Sequence, residues 1–151
     1  MTSYIRFGLM ILTSTIVMFG IMYLNSYDII DHAYWSETRA YMALLMAATM
    51  IVVMLTFMLG MYRNQALNVG IYAGAAVLFV AALGLVRSQV TVDDVDYMEA
   101  MIPHHSIAIL TSKRARITDP RVRELADGII AAQEREIAQM EALIADLKAK
   151  E

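Results

Sequence analysis

The chain has 151 residues, enough for about one ordinary domain, yet 59% of them are hydrophobic and the mean hydropathy is +0.54. That is too apolar for a purely soluble fold. With a net charge of −3 and no cysteine, the chain is not a basic nucleic-acid binder, and any soft-metal site in it has to be built from thioether and imidazole groups.

Three apolar runs, at 7–24, 40–61 and 67–86, carry no charged side chain and reach the roughly 20 residues that a membrane helix needs. The first is long, lacks a small-x-small cleavage site and precedes two further spans, so it reads as a retained helix and not a signal peptide. Polarity changes abruptly after Arg87. We therefore divide the chain into a membrane domain, 1–90, and a polar C-terminal domain, 91–151.

The basic residues beside the spans split evenly, Arg6 and Arg63 on one side against Arg39 and Arg87 on the other, so they do not set the orientation. The acidic 25–38 loop and the Met/His chemistry without cysteine lean towards a cytoplasmic N-terminus, with the C-terminal domain in the periplasm or outside the cell. A bacterial inner membrane is the expected location. Within the 25–38 loop, Tyr34 and Trp35 read as an interfacial belt, and His32 is an accessory candidate metal ligand.

The second span places Met42, Met46, Met50, Met54 and Met58 at strict four-residue spacing, with Met61 close behind. Each step drifts about 40° on a helix, so the stripe winds slowly round it. Packing against Met10, Met18 and Met22 is the favoured reading of this ladder; a thioether path for Cu(I) is the alternative.

The polar part reads as two helices. Thr91 with Asp94 resembles a capping box, and Asp93, Asp94 and Asp96 suit a helix N-terminus, so the first helix is expected to start near Val92. Pro103 should bend it beside His104 and His105. The cluster Lys113, Arg114 and Arg116 fits a last turn, and Asp119-Pro120 starts the second helix as N-cap and first helical residue. The apolar face of that helix runs through Val122, Leu125, Ile129, Ile130, Ile137, Met140, Ile144 and Leu147, with Gln133 as the odd polar member.

Met98, Met101 and His105 fall within roughly 60° of one another on a helix, while His104 sits on the flank. Thioethers with imidazole are copper ligands first. A turn centred on Ile117 and Thr118 brings His105 near Ile130 and Gln133, and Met98 opposite Ile137 to Met140. The candidate metal residues are therefore His104, His105, Met101, Met98 and Met140, with Gln133 or Glu136 as a partner that orients an imidazole. Singly, each of these residues is more often core filler; the case rests on their combination. The two-helix hairpin buries too little to stand alone, so two chains are expected to close a four-helix bundle as a homodimer or higher oligomer.

The residues Met101-Ile-Pro-His104-His105, Ala108-Ile109, Thr118-Asp119-Pro120 and the run from Ala131 to Met140 resemble domain-of-unknown-function family 305 over about the last 60 residues. That resemblance implies a ferritin-like helical bundle, copper handling and a role for the M-I-x-H-H residues as ligands. Two departures stand out: Thr111 and Ser112 occupy positions where many members carry a further methionine, and one hairpin replaces two. The segment from Trp35 to Met42 resembles a membrane-bound branch of the same family.

The fold expected is all-α: three transmembrane helices followed by a soluble hairpin that completes a ferritin-like four-helix bundle by oligomerisation. The function expected is a membrane-anchored protein that holds copper as Cu(I) outside the cytoplasm, for sequestration, tolerance or delivery to a partner protein. It is read as a binder in contact with lipid, with no enzymatic role and no nucleic acid. A metal-free membrane scaffold is the first alternative. A ferritin-like redox enzyme is the second, and it lacks the Glu-x-x-His pairs such a centre uses.

Overall fold

Apolar length and capping residues determine the helices of this chain. The computed structural model describes residues 3–150, which form five α-helices and no strand. They are α1 (Ser3–Ile21), α2 (Glu37–Phe57), α3 (Gln65–Ser88), α4 (Asp94–Arg114) and α5 (Pro120–Lys148). The first three are long and apolar enough to cross a membrane. The helices form two compact units that do not follow chain order: α1 packs with Thr38–Thr91, whereas the connection Met22–Glu37 packs with Val92–Glu151.

In the first unit, polar side chains secure the connection between α2 and α3. The expected second span extends to Met61, but α2 ends at Phe57, where the Met58 amide is shared between the Met54 and Leu55 carbonyls at 3.1 Å each. Such sharing tightens a last turn. Asn64 then caps α3 by accepting the Leu67 amide at 3.0 Å. Buried Asn68 donates to the Tyr62 carbonyl at 2.6 Å and accepts the Tyr4 hydroxyl at 3.0 Å, so its burial leaves no unmet polar group. Tyr62 folds back on Tyr4 and Phe7, with ring centroids 5.0 and 5.4 Å away. At the far end of α3, Gln89 adopts the left-handed conformation at φ 51° and closes the last turn by donating its side-chain Nε2 to the Val86 carbonyl at 2.7 Å.

Ladder residues Met50, Met54 and Met58 pack, together with Met10, against the Phe7, Ile11, Ala47, Leu55 and Tyr62 cluster. Flexible thioethers fill such irregular gaps well.

The second unit is the α4–α5 hairpin with Met22–Glu37 laid against it. Asp93, not Thr91, caps α4, accepting the Asp96 amide at 2.9 Å. Thr91 instead pairs its hydroxyl with Tyr41 at 2.8 Å, and a carboxylate two residues later makes the better cap. The helix runs through Pro103 without a break. Asp119 caps α5 with Pro120 in its first turn, as Asp-Pro specifies. Its carboxyl is held below the usual range, first by the Arg121 guanidinium and then by the Arg121 amide.

Met98, Ile102, Ile109, Ile137, Met140 and Ile144 form the hairpin core, each stabilising it by about 1.5–3 kcal/mol for full burial. Tyr34, Val95, Met101 and Leu147 pack round that cluster. Thus Tyr34, which reads in the sequence as part of an interfacial belt, is a core partner of the hairpin, while its neighbour Trp35 is exposed. Burial raises the Tyr34 phenol's pKa, with Glu141 and Glu99 adding to the effect.

The connection is fastened through Ser106, which is completely buried on α4. Its Oγ accepts the Tyr27 amide at 2.7 Å, lies 3.4 Å from the Asp28 amide and pairs with His32 Nδ1 at 2.8 Å. Lys113 lies over the Tyr27 ring at 4.4 Å while bonding Glu134 at 2.8 Å. Almost buried Glu99 is neutralised by Lys148 at 2.7 Å. Part of the company that the hairpin needs therefore comes from its own chain.

Candidate metal site on the hairpin

Met98, Met101 and His105 share a face of α4 because they stand seven, four and zero residues from His105, which is near-integral in helical turns. Met140 and Glu136 share a face of α5 for the same reason. Packing the two helices brings all five side chains, with Gln139, into the wall of one groove of about 480 Å³. Asp94 lines the same groove, so three thioethers, one imidazole and two carboxylates border the same space. Met98 and Met140 also belong to the buried core, so they pack as well as present sulfur.

The imidazole of His105 is held at both nitrogens. Nδ1 lies 3.0 Å from the Met101 carbonyl, which can only accept, so Nδ1 carries a proton. Nε2 is directed at Glu136 Oε2, 2.7 Å away. The Glu136 side chain is 53% exposed against 16% for His105, so the acid is free to swing while the ring is not.

This pairing lies one helical turn beyond the Ile130 to Gln133 region that simple antiparallel counting gives. Side chains lean towards the N-terminus of their own helix. On antiparallel helices His105 and Glu136 therefore lean towards each other, and the pair is offset from its Cα level. For the same reason Glu136 is the imidazole's partner, while Gln133 is half-buried and outside the groove wall.

His104 is exposed and does not line the groove, its ring centroid standing 6.2 Å from that of His105. His32 is engaged with Ser106 and is likewise outside the groove wall. Among the described residues no group of three or more His, Asp or Glu side chains is placed to hold a metal ion. The groove wall combines three thioethers, which are soft donors, with the imidazole of His105 and the carboxylates of Asp94 and Glu136.

Sequence reasoning missed Ser106 and the Glu99–Lys148 pair. Neither breaks a periodic pattern: a small hydroxyl and a Glu on the mixed face of α4 carry no signal until the element opposite is known.

The family described as Domain of unknown function (DUF305) matches residues 85–151. The uncharacterized protein L153 of Acanthamoeba polyphaga mimivirus is 34% identical over 113 residues, covering 72% of this chain and 70% of that protein. The chain belongs to the DUF305 family. The alignment with the viral protein is longer than the matched DUF305 segment, so the likeness extends into the apolar helices that precede it. No solved structure matches the chain. The DUF305 segment contains α4, α5 and every residue of the groove wall.

Proposed function

We propose that this DUF305 protein is a membrane-anchored copper binder that holds Cu(I) in the hairpin groove on the outer side of a bacterial inner membrane, for sequestration, tolerance or delivery. The observation that carries the reading is the convergence of Met98, Met101, Met140 and His105 on one groove, with Nδ1 of His105 already committed to a carbonyl. That bond turns Nε2 towards the groove, where it meets the Glu136 carboxylate at 2.7 Å, so an ion binding at Nε2 would have to displace that hydrogen bond together with its proton. Neutral sulfur and imidazole donors suit a soft monovalent ion. Glu136 occupies the position in front of Nε2 and swings aside to admit the ion, its charge then balancing the cation. The copper association implied by the M-I-x-H-H resemblance supports the same metal.

The protein acts as a homodimer in this proposal. On α5, Val122, Leu125 and Ile129 are exposed and fall within roughly 60° of Glu136, Leu143 and Leu147 on the helix. The exposed apolar stripe is therefore continuous with the groove wall, and a second hairpin laid along it would complete a four-helix bundle.

The test is an anaerobic Cu(I) titration of the purified full chain against a competing chelator, beside His105→Ala and Met101→Leu, with Zn²⁺ as the control metal. Tight Cu(I) binding that falls at least tenfold in both variants, with weak Zn²⁺ binding, supports the site. Equal and weak Cu(I) binding in all three proteins refutes it and leaves a metal-free helical scaffold.

A further inference from the structure

The membrane unit contains a second gathering of sulfur that the hairpin site does not use. Met46, Met50 and Met54, successive rungs of the α2 ladder, line one groove of about 510 Å³ together with Met18 of α1, Thr49 and Phe79. All four methionines are half-buried, so they are neither sunk in the core nor turned fully outwards. The groove wall is otherwise hydrocarbon, and its one hydroxyl, Thr49 Oγ1, is already donated to the Leu45 carbonyl at 3.0 Å. Thioether sulfur is therefore the principal ligand chemistry on offer.

We infer that this groove is a second binding site for a soft monovalent metal ion, Cu(I) or Ag(I), held by the thioethers of Met46, Met50 and Met54 with Met18 opposite. Successive rungs rise about 6 Å along α2 and turn about 40°, and each thioether swings on three torsions. Neighbouring sulfurs can therefore converge on one ion, while Met18 approaches from another helix. With no carboxylate or imidazole in the wall, a divalent hard ion finds nothing to offset its desolvation, whereas a polarisable monovalent ion finds soft donors. Leucine would fill the same space without sulfur; α2 places one, Leu45, in the groove wall beside the three methionines.

The experiment loads full-length protein in detergent with Ag(I), a redox-inert probe, and measures metal per chain by mass spectrometry after desalting. Wild type is compared with Met46→Leu/Met50→Leu/Met54→Leu, with the hairpin variant His105→Ala/Met101→Leu, and with Met42→Leu/Met61→Leu, whose residues lie outside the groove. Leucine conserves volume, so helicity by circular dichroism is expected to be unchanged. The inference requires that the triple variant lose one equivalent that the hairpin variant and the Met42/Met61 control both retain. It is overturned if the triple variant keeps the wild-type stoichiometry, or if the control loses metal equally, which marks non-specific thioether binding. The hairpin proposal fails separately, through the hairpin variant.

Discussion

Replacing Ser106 by alanine isolates the fastening between the Met22–Glu37 connection and α4. The substitution removes one completely buried oxygen and with it two short hydrogen bonds, from the Tyr27 amide at 2.7 Å and to His32 at 2.8 Å, together with the longer 3.4 Å approach of the Asp28 amide. His32 is half-exposed and can turn to water, so its loss costs little. The Tyr27 amide is held against the helix and is left without an acceptor, which costs about 1–3 kcal/mol. Taking about 1.5–3 kcal/mol for the whole change, local opening of the connection becomes roughly 10- to 150-fold more populated. Hydrogen exchange followed by mass spectrometry over residues 22–37 should therefore lose one to two orders of magnitude of protection, while α2 and α3 exchange as before. A change below about threefold at Tyr27 would show that Ser106 does not hold the connection and that the contacts of Tyr34 suffice.

Ile102→Ala, at a position with no exposure, should destabilise the hairpin unit by about 2–5 kcal/mol. The single Trp35, in the same unit, reports this by fluorescence in urea, and a loss below about 1 kcal/mol would contradict the packing described. Because the Asp119 carboxyl is depressed in the folded state, its cap contributes above the unfolded value of roughly 3.9 and fades as pH falls through the lower folded value. The Tm difference between wild type and Asp119→Ala should accordingly be constant from pH 7 to about 5 and shrink below about 4; a difference that persists undiminished at pH 2 would argue against a charged cap. If α1, α2 and α3 each cross the membrane, as their length and apolarity allow, the Met22–Glu37 connection and the hairpin lie on one side and the α2–α3 turn on the other. In this cysteine-free chain, Asp31→Cys and Ala149→Cys should both react with an impermeant maleimide from the side that leaves Gln65→Cys untouched, and the proposed orientation requires that side to be the outside of intact cells.

Whatever obeys a helical period was legible in the sequence. The three apolar runs, the Asp119-Pro120 start and the shared face of Met98, Met101 and His105 follow from spacing and cap chemistry alone, because 3.6 residues per turn leaves little freedom. The connection's docking was not legible, since Ser106 meets Tyr27 and His32 across 79 and 74 residues of chain and no periodicity links them. Of the two partners that the sequence offered His105, Glu136 and not Gln133 meets the ring, one turn beyond the level that counting Cα positions gives, because such counting ignores the lean of side chains. His104 illustrates the opposite limit: adjacency in sequence suggested a pair of imidazoles, but a 100° step between neighbours turns the second ring out of the groove.

The arrangement round α4 bears on how the hairpin can associate. With His105 set at zero on the helix, Met98, Met101 and Asp94 lie within roughly 40°, Ile102 and Ile109 at roughly 40–60°, and Glu99, Pro103 and Ser106 at roughly 100–160°. The middle sector holds the core residues packed with α5, and the last meets the chain's own connection through Ser106. Of these three sectors the first, the groove flank, is left open, and on α5 it continues into exposed Val122, Leu125 and Ile129; the opposite side of α4 is also exposed, at Tyr97, His104 and Thr111. A second hairpin laid along the apolar stripe of α5, as in the proposed dimer, would close over the groove that is proposed to take copper. Ion and partner then act on one surface, and linkage requires that whatever loading does to association, association does equally to affinity. A dimer tightened by Cu(I) would mean that the partner completes the site; a dimer loosened by it would mean that the partner must leave before the ion can enter.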